Sequence, residues 1–152
     1  MRAAATISAL AILALARPSA AQCTAGPVGR WTAPAEISAV ALSGSTAAVA
    51  TDVGLTLLDV IDPAAPVVLA ELRGPPVVDV ALAGTMAYVV AAGAGLRLLD
   101  LSRPAAPVEV GWYQPPEPAA CVAIDGPAAY VTTGERLYVV DVSDPRLPAE
   151  LA

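Results

Sequence analysis

The chain repeats itself with a period of 41 residues. Leu-Thr-Leu-Leu-Asp-Val-Ile-Asp-Pro-Ala-Ala-Pro at 55–66 returns as Leu-Arg-Leu-Leu-Asp-Leu-Ser-Arg-Pro-Ala-Ala-Pro at 96–107. It returns again as Leu-Tyr-Val-Val-Asp-Val-Ser-Asp-Pro-Arg-Leu-Pro at 137–148. Asp59, Asp100 and Asp141 are evenly spaced, as are Pro63, Pro104 and Pro145. A fixed period of this length marks one supersecondary unit copied in tandem, and such units hide their apolar faces by stacking.

Each unit divides into four short segments. In the second copy they are 77–82, 87–91, 96–101 and 107–113. They are rich in Val and bounded by Gly or Pro, which predicts strands; the frequent prolines would break a helix. Gly44, Gly84 and Gly126 recur at the same place in each unit and predict a tight hairpin turn with positive φ. Val67-Val68-Leu69-Ala70 is apolar on both faces, as in sheets covered on both sides. Four-stranded sheets stacked face to face around an axis meet all these demands, so the expected fold is all-β. It comprises three propeller-type blades, at about 36–76, 77–118 and 119–152, preceded by a segment at 22–35. Residues 27–31 resemble a fourth segment, so the chain is expected to enter the repeats on a fourth strand.

Closed propellers carry roughly four to eight blades. Three would leave two apolar faces and their strand edges open, which invites association. The expectation is a fragment of a longer protein, or copies that self-associate through open blade faces to complete a ring.

The tripled Leu-x-Leu/Val-Leu/Val-Asp core, with its following Ser-Asp-Pro-x-x-Pro, resembles the LVIVD repeat. Ala-Tyr-Val at 87–89 and 129–131, with Gly84 and Gly126 ahead of them, extends the match over about 36–152. The first copy departs from it, reading Ala47-Ala48-Val49, and Arg103 replaces the acid of Ser-Asp-Pro. Asp79 is matched by Ala39 and Cys121 in the other copies. The resemblance implies an exported, cell-surface β-propeller repeat, with no catalytic residues to carry over.

Residues 1–21 read as a secretory signal peptide. Arg2 precedes a weakly apolar run at 3–16, which is too short to span a bilayer, and Ser19-Ala20-Ala21 supplies small residues for cleavage. Gln22 stands before Cys23, where lipidation needs a small residue. The expected destination is therefore the periplasm, the cell surface or the medium, with no membrane insertion after cleavage. Past the leader, 14 acids face 6 Arg (the 8 of the whole chain less Arg2 and Arg17), a net charge near −8. An acidic chain without a basic patch is not expected to bind nucleic acid.

Candidate sites are few. The chain has no His, so a Ser-His-Asp or Cys-His arrangement, or a histidine-bound metal, cannot be built within it. Asp59/Asp62 and Asp141/Asp144 invite a calcium reading, but an Asp before Pro is also a turn former, and turns are the expectation. Cys23 and Cys121 could form a disulfide once exported; alternatively, Cys121 is a buried thiol. Trp31, Trp112 and Tyr113 are read as packing between blades. The positions that break the repeat, Asp52, Asp79, Glu135 and Arg136, form the candidate interaction surface. No cofactor or metal is expected. The leading function is a non-catalytic scaffold binding a protein, peptide or glycan. The alternative is part of a propeller hydrolase whose catalytic residues lie outside this chain, with Glu36, Asp79, Glu117 and Asp125 as unplaced acids.

Overall fold

The computed structural model describes residues 28–151, and every regular element in that span is a β-strand. The expected signal peptide at 1–21 and Cys23, one half of the possible disulfide with Cys121, lie outside the described residues.

Twelve strands form three antiparallel sheets of four. The first blade is β1 (Ile37–Ser43), β2 (Thr46–Thr51), β3 (Gly54–Asp59) and β4 (Val67–Arg73). The second is β5 (Val77–Ala83), β6 (Met86–Ala91), β7 (Gly95–Asp100) and β8 (Val108–Tyr113). The third is β9 (Cys121–Asp125), β10 (Ala128–Thr132), β11 (Leu137–Asp141) and the short β12 (Ala149–Glu150). Each blade is a meander in sequence order. Its first turn opens with Gly44, Gly84 or Gly126 at φ 57°, 58° and 54°, as a two-residue turn with glycine leading requires. The sequence expectation holds at all three places.

The first strands β1, β5 and β9 lie side by side, and the blades stack face to face behind them. At the first junction Ala48, Ala50, Leu55 and Leu57 of one blade meet Val77, Val80, Val89 and Leu99 of the next. At the second, Tyr88, Val90, Leu96 and Leu98 meet Val122, Val131, Tyr138 and Val140. Each Leu or Val buried in this way contributes about 1.5–3 kcal/mol, so inter-blade packing dominates the stability.

Two expectations are corrected. Val67 and Val68 of β4 are exposed, although an apolar run predicts cover on both faces. β4 is the outermost strand of its blade, and the fully covered strands are the middle ones, β2, β3, β6 and β7. Residues 28–36 form no strand. Among the described residues there is no third strand of a preceding blade for them to pair with.

The segment nevertheless sits at a fourth-strand place. Gly29 and Gly111 are 82 residues apart, two periods. A Cβ at Gly29 would strike the Pro63 carbonyl, and one at Gly111 would strike the Pro145 carbonyl. Trp31, two residues on, packs against Ala47, Val49 and Leu58 on the outward face of the first blade. Tyr113, two residues after Gly111, packs into the second junction.

Candidate functional site

An antiparallel meander sends alternate connections to opposite ends. The turns between first and second strands and the loops between third and fourth strands share one end; the remaining turns and the links between blades share the other.

The first end is built from turns. Asp59, Asp100 and Asp141 close each third strand, and their Oδ1 atoms accept from the N–H groups of Ile61, Ser102 and Ser143 at 2.9, 2.8 and 2.8 Å. Asp62 and Asp144 do the same for Ala64 and Arg146 at 2.9 and 3.0 Å. These are the side-chain-to-backbone bonds of Asp turns, as expected. Bonds to Ser102 hold the Asp100 carboxyl below its ordinary pKa, and bonds to Ser143 do so for Asp141.

The second end carries the tyrosine–glutamate contacts and the side-chain ion pairs of the junctions, and there the two junctions differ. At the second junction the Tyr113 hydroxyl donates to Glu150 Oε2 at 2.5 Å, and the Tyr138 hydroxyl donates to Glu117 in the link between blades. The two rings lie 6.4 Å apart and tilted by 55°. Arg136 Nε approaches Glu117 Oε1 at 3.6 Å. Burial, then the bond to Glu150, pushes the Tyr113 phenol far above its ordinary range; the bond to Glu117 is the main cause raising Tyr138.

At the first junction the period puts Leu72 where Tyr113 stands, Arg97 where Tyr138 stands and Glu109 where Glu150 stands. Two aromatic rings are thereby replaced by a shorter apolar chain and a half-buried guanidinium. Arg97 Nη1 donates to Glu109 Oε1 at 2.7 Å, and its Nε donates to the Ala94 carbonyl at 3.1 Å. What remains is a cavity of about 230 Å³, walled by Leu55, Leu72, Val77 and Leu99, with Arg73 and Arg97 among its polar lining. Glu109 lines it too, and each guanidinium already has a carboxylate partner, Glu109 for Arg97 and Glu71 for Arg73. The apolar floor with its neutralised rim can hold a small apolar group carrying a polar function.

The four repeat-breaking residues fall into two sets. Asp52 lies on the β2–β3 turn, where its Oδ1 accepts from the Glu36 N–H at 3.1 Å. Glu135 and Arg136 lie on the corresponding β10–β11 turn and are exposed. These three share the second end with the cavity. Asp79 is placed differently: a bulge in β5 between Val77 and Asp79 turns its side chain toward the third blade. There Oδ2 accepts from the Val122 N–H at 2.8 Å, while Oδ1 accepts from its neighbour Val80 at 2.9 Å. Asp79 thus straps the second blade to the third.

Cys121 is exposed at the start of β9, which corrects the buried-thiol reading; the strand alternates, and Val122 takes the inward place. Trp112 is 58% exposed, so of the three fourth-strand aromatics only Trp31 and Tyr113 pack. Sequence reading missed Arg97, Glu109 and the Tyr113–Glu150 pair. The signal was present: Thr56, Arg97 and Tyr138 share one repeat position, and it is never the same residue twice.

A family model described as LVIVD repeat matches the chain three times, over residues 36–71, 76–114 and 118–152. Each match falls on one four-stranded sheet, the first ending within β4. No curated protein matches the chain.

Proposed function

Because the chain belongs to the LVIVD repeat family, we propose that it is an exported, non-catalytic β-propeller module that binds a protein, peptide or glycan at the cell surface or in the periplasm. The observation that carries the reading is the cavity at the first junction. It lies where the repeat changes from Tyr to Leu72 and Arg97, on the end that also bears Asp52, Glu135 and Arg136. Packing alone would be served by repeating the tyrosines, so a lined opening at one junction supports a binding role. The reading of export rests on the signal-peptide pattern of residues 1–21.

The test is a screen of the purified chain against peptide and glycan arrays, with Leu72→Tyr/Arg97→Tyr as the matched control. That double variant installs the residues of the second junction at the first and should fold. The wild-type chain is expected to retain one ligand class that the variant loses. Equal binding by both would remove the cavity from the account. For export, the chain recovered from its host should lack residues 1–21; a full-length cytosolic product would contradict that part.

A further inference from the structure

The two outward faces of the stack match one another. On the first blade Ile37, Val40 and Leu42 are 51%, 61% and 64% exposed. Their counterparts on the second blade, Val77, Val80 and Leu82, are buried or half-buried against the first. On the third blade Leu137 and Leu151 are exposed, beside half-buried Tyr130 and Val139. Their second-blade counterparts Leu96, Tyr88 and Leu98 are buried against the third, with Val110 packed at the edge. The chain therefore shows on one side the face that receives a preceding blade, and on the other the face that receives a following one. Gly29 and Trp31 already lie on the first blade as Gly111 and Tyr113 lie on the third.

We propose that the occupant of each face is a second copy of this chain. The third blade of one copy docks on the first blade of the other, and the reverse, closing a ring of six blades. The contact continues the two inter-blade junctions already present. It is head-to-tail, and it closes when two copies are related by a two-fold axis. Six blades fall within the roughly four to eight that close a propeller. The strand edges agree as well. Among the described residues, β12 pairs with Val140 and Asp141 of β11, and the Leu151 N–H donates to the Val139 carbonyl at 2.7 Å. In the second blade the corresponding strand runs on, with Gly111, Trp112 and Tyr113 opposite Leu98, Arg97 and Leu96. The period puts Arg30 and Trp31 in the places of Trp112 and Tyr113, opposite Tyr138 and Leu137 of the partner's β11. The segment, which pairs with no strand among the described residues, gains a partner in the ring.

The experiment is the solution mass of the purified chain by light scattering, with Val40→Glu and Leu137→Glu measured separately. Both residues are exposed in the single chain, so each variant should keep the wild-type circular dichroism spectrum. The wild-type chain is expected at twice its monomer mass. Each variant should weaken association by more than about a hundredfold, because a carboxylate would be buried without a partner. Mixing the two variants should restore a dimer held by the one junction that carries neither change. A wild-type monomer at high concentration would overturn the proposal, as would an open-ended series of masses. Dissociation by Val40→Glu but not by Leu137→Glu would point instead to a first-blade-to-first-blade contact, and would also overturn it.

Discussion

The Asp79 carboxylate, on the first strand of the second blade, accepts a hydrogen bond from the Val122 backbone N–H of the third at 2.8 Å. It is an inter-blade bond made by a side chain that neither neighbouring repeat has, since Ala39 and Cys121 hold the equivalent places. Asp79→Ala leaves the Val122 N–H without this acceptor and is expected to cost about 1–3 kcal/mol. Urea unfolding measures it, and a change within about 0.5 kcal/mol, the range of ordinary surface substitutions, would show that water replaces the strap.

Gly111 is required by close approach. Its Cβ would meet the Pro145 carbonyl, which is backbone and cannot rotate away. Gly111→Ala is expected to destabilise by about 1–3 kcal/mol through overpacking. The reverse change at the same repeat position, Ala70→Gly, should cost less than about 1 kcal/mol, because strand entropy is then the main loss. Denaturant midpoints of the two variants test the contrast; equal costs would contradict it.

The first junction can be closed with the chain's own residues. Leu72→Tyr places a ring in the 230 Å³ cavity with Glu109 as acceptor, as Glu150 serves Tyr113. Filling it should raise stability by about 0.5–2 kcal/mol. Tyr113→Leu, the opposite change at the second junction, should lower it by about 2–5 kcal/mol by opening a matching void. Thermal unfolding of both variants reads the two signs, and a loss in both would show that the cavity is shaped for Leu72.

Stability should fall at both extremes of pH. The Asp100 and Asp141 carboxyls are lowered in the fold, so their contribution is present above the unfolded carboxylate value of about 4 and is lost as pH drops through the folded values. The Tyr113 and Tyr138 phenols are raised, so theirs is present below the unfolded value of about 10 and is lost as pH rises through the folded values. Absorbance of phenolate during alkaline titration should show these two tyrosines ionising late, together with Tyr88, which burial also raises. Glu150→Gln should bring Tyr113 down part of the way, leaving the larger effect of burial. A Tyr113 that titrates in the ordinary range would contradict the buried contact.

Much of the fold was legible because its signals are periodic. Proline and glycine fixed the turn positions, and the Val-rich segments between them are the strands, to within a residue or two at each end. The outermost strand was misread at Val67 and Val68, since an apolar run says that a strand can be covered and not that a neighbour reaches it. The candidate site was less legible. Glu135 and Arg136 stand out in sequence as breaks in the repeat. The cavity, in contrast, arises from what Leu72 and Arg97 fail to fill, and that depends on the rings at the other junction. Asp79 was singled out as a break, but only the β5 bulge shows that its side chain points across to Val122.

Electron microscopy of the purified chain, viewed end-on, tests the central claim most directly. The account predicts a closed disc of six blades around an axis, in which every apolar face meets another through the same contact. An open arc of three blades, or a filament of stacked copies, would contradict it.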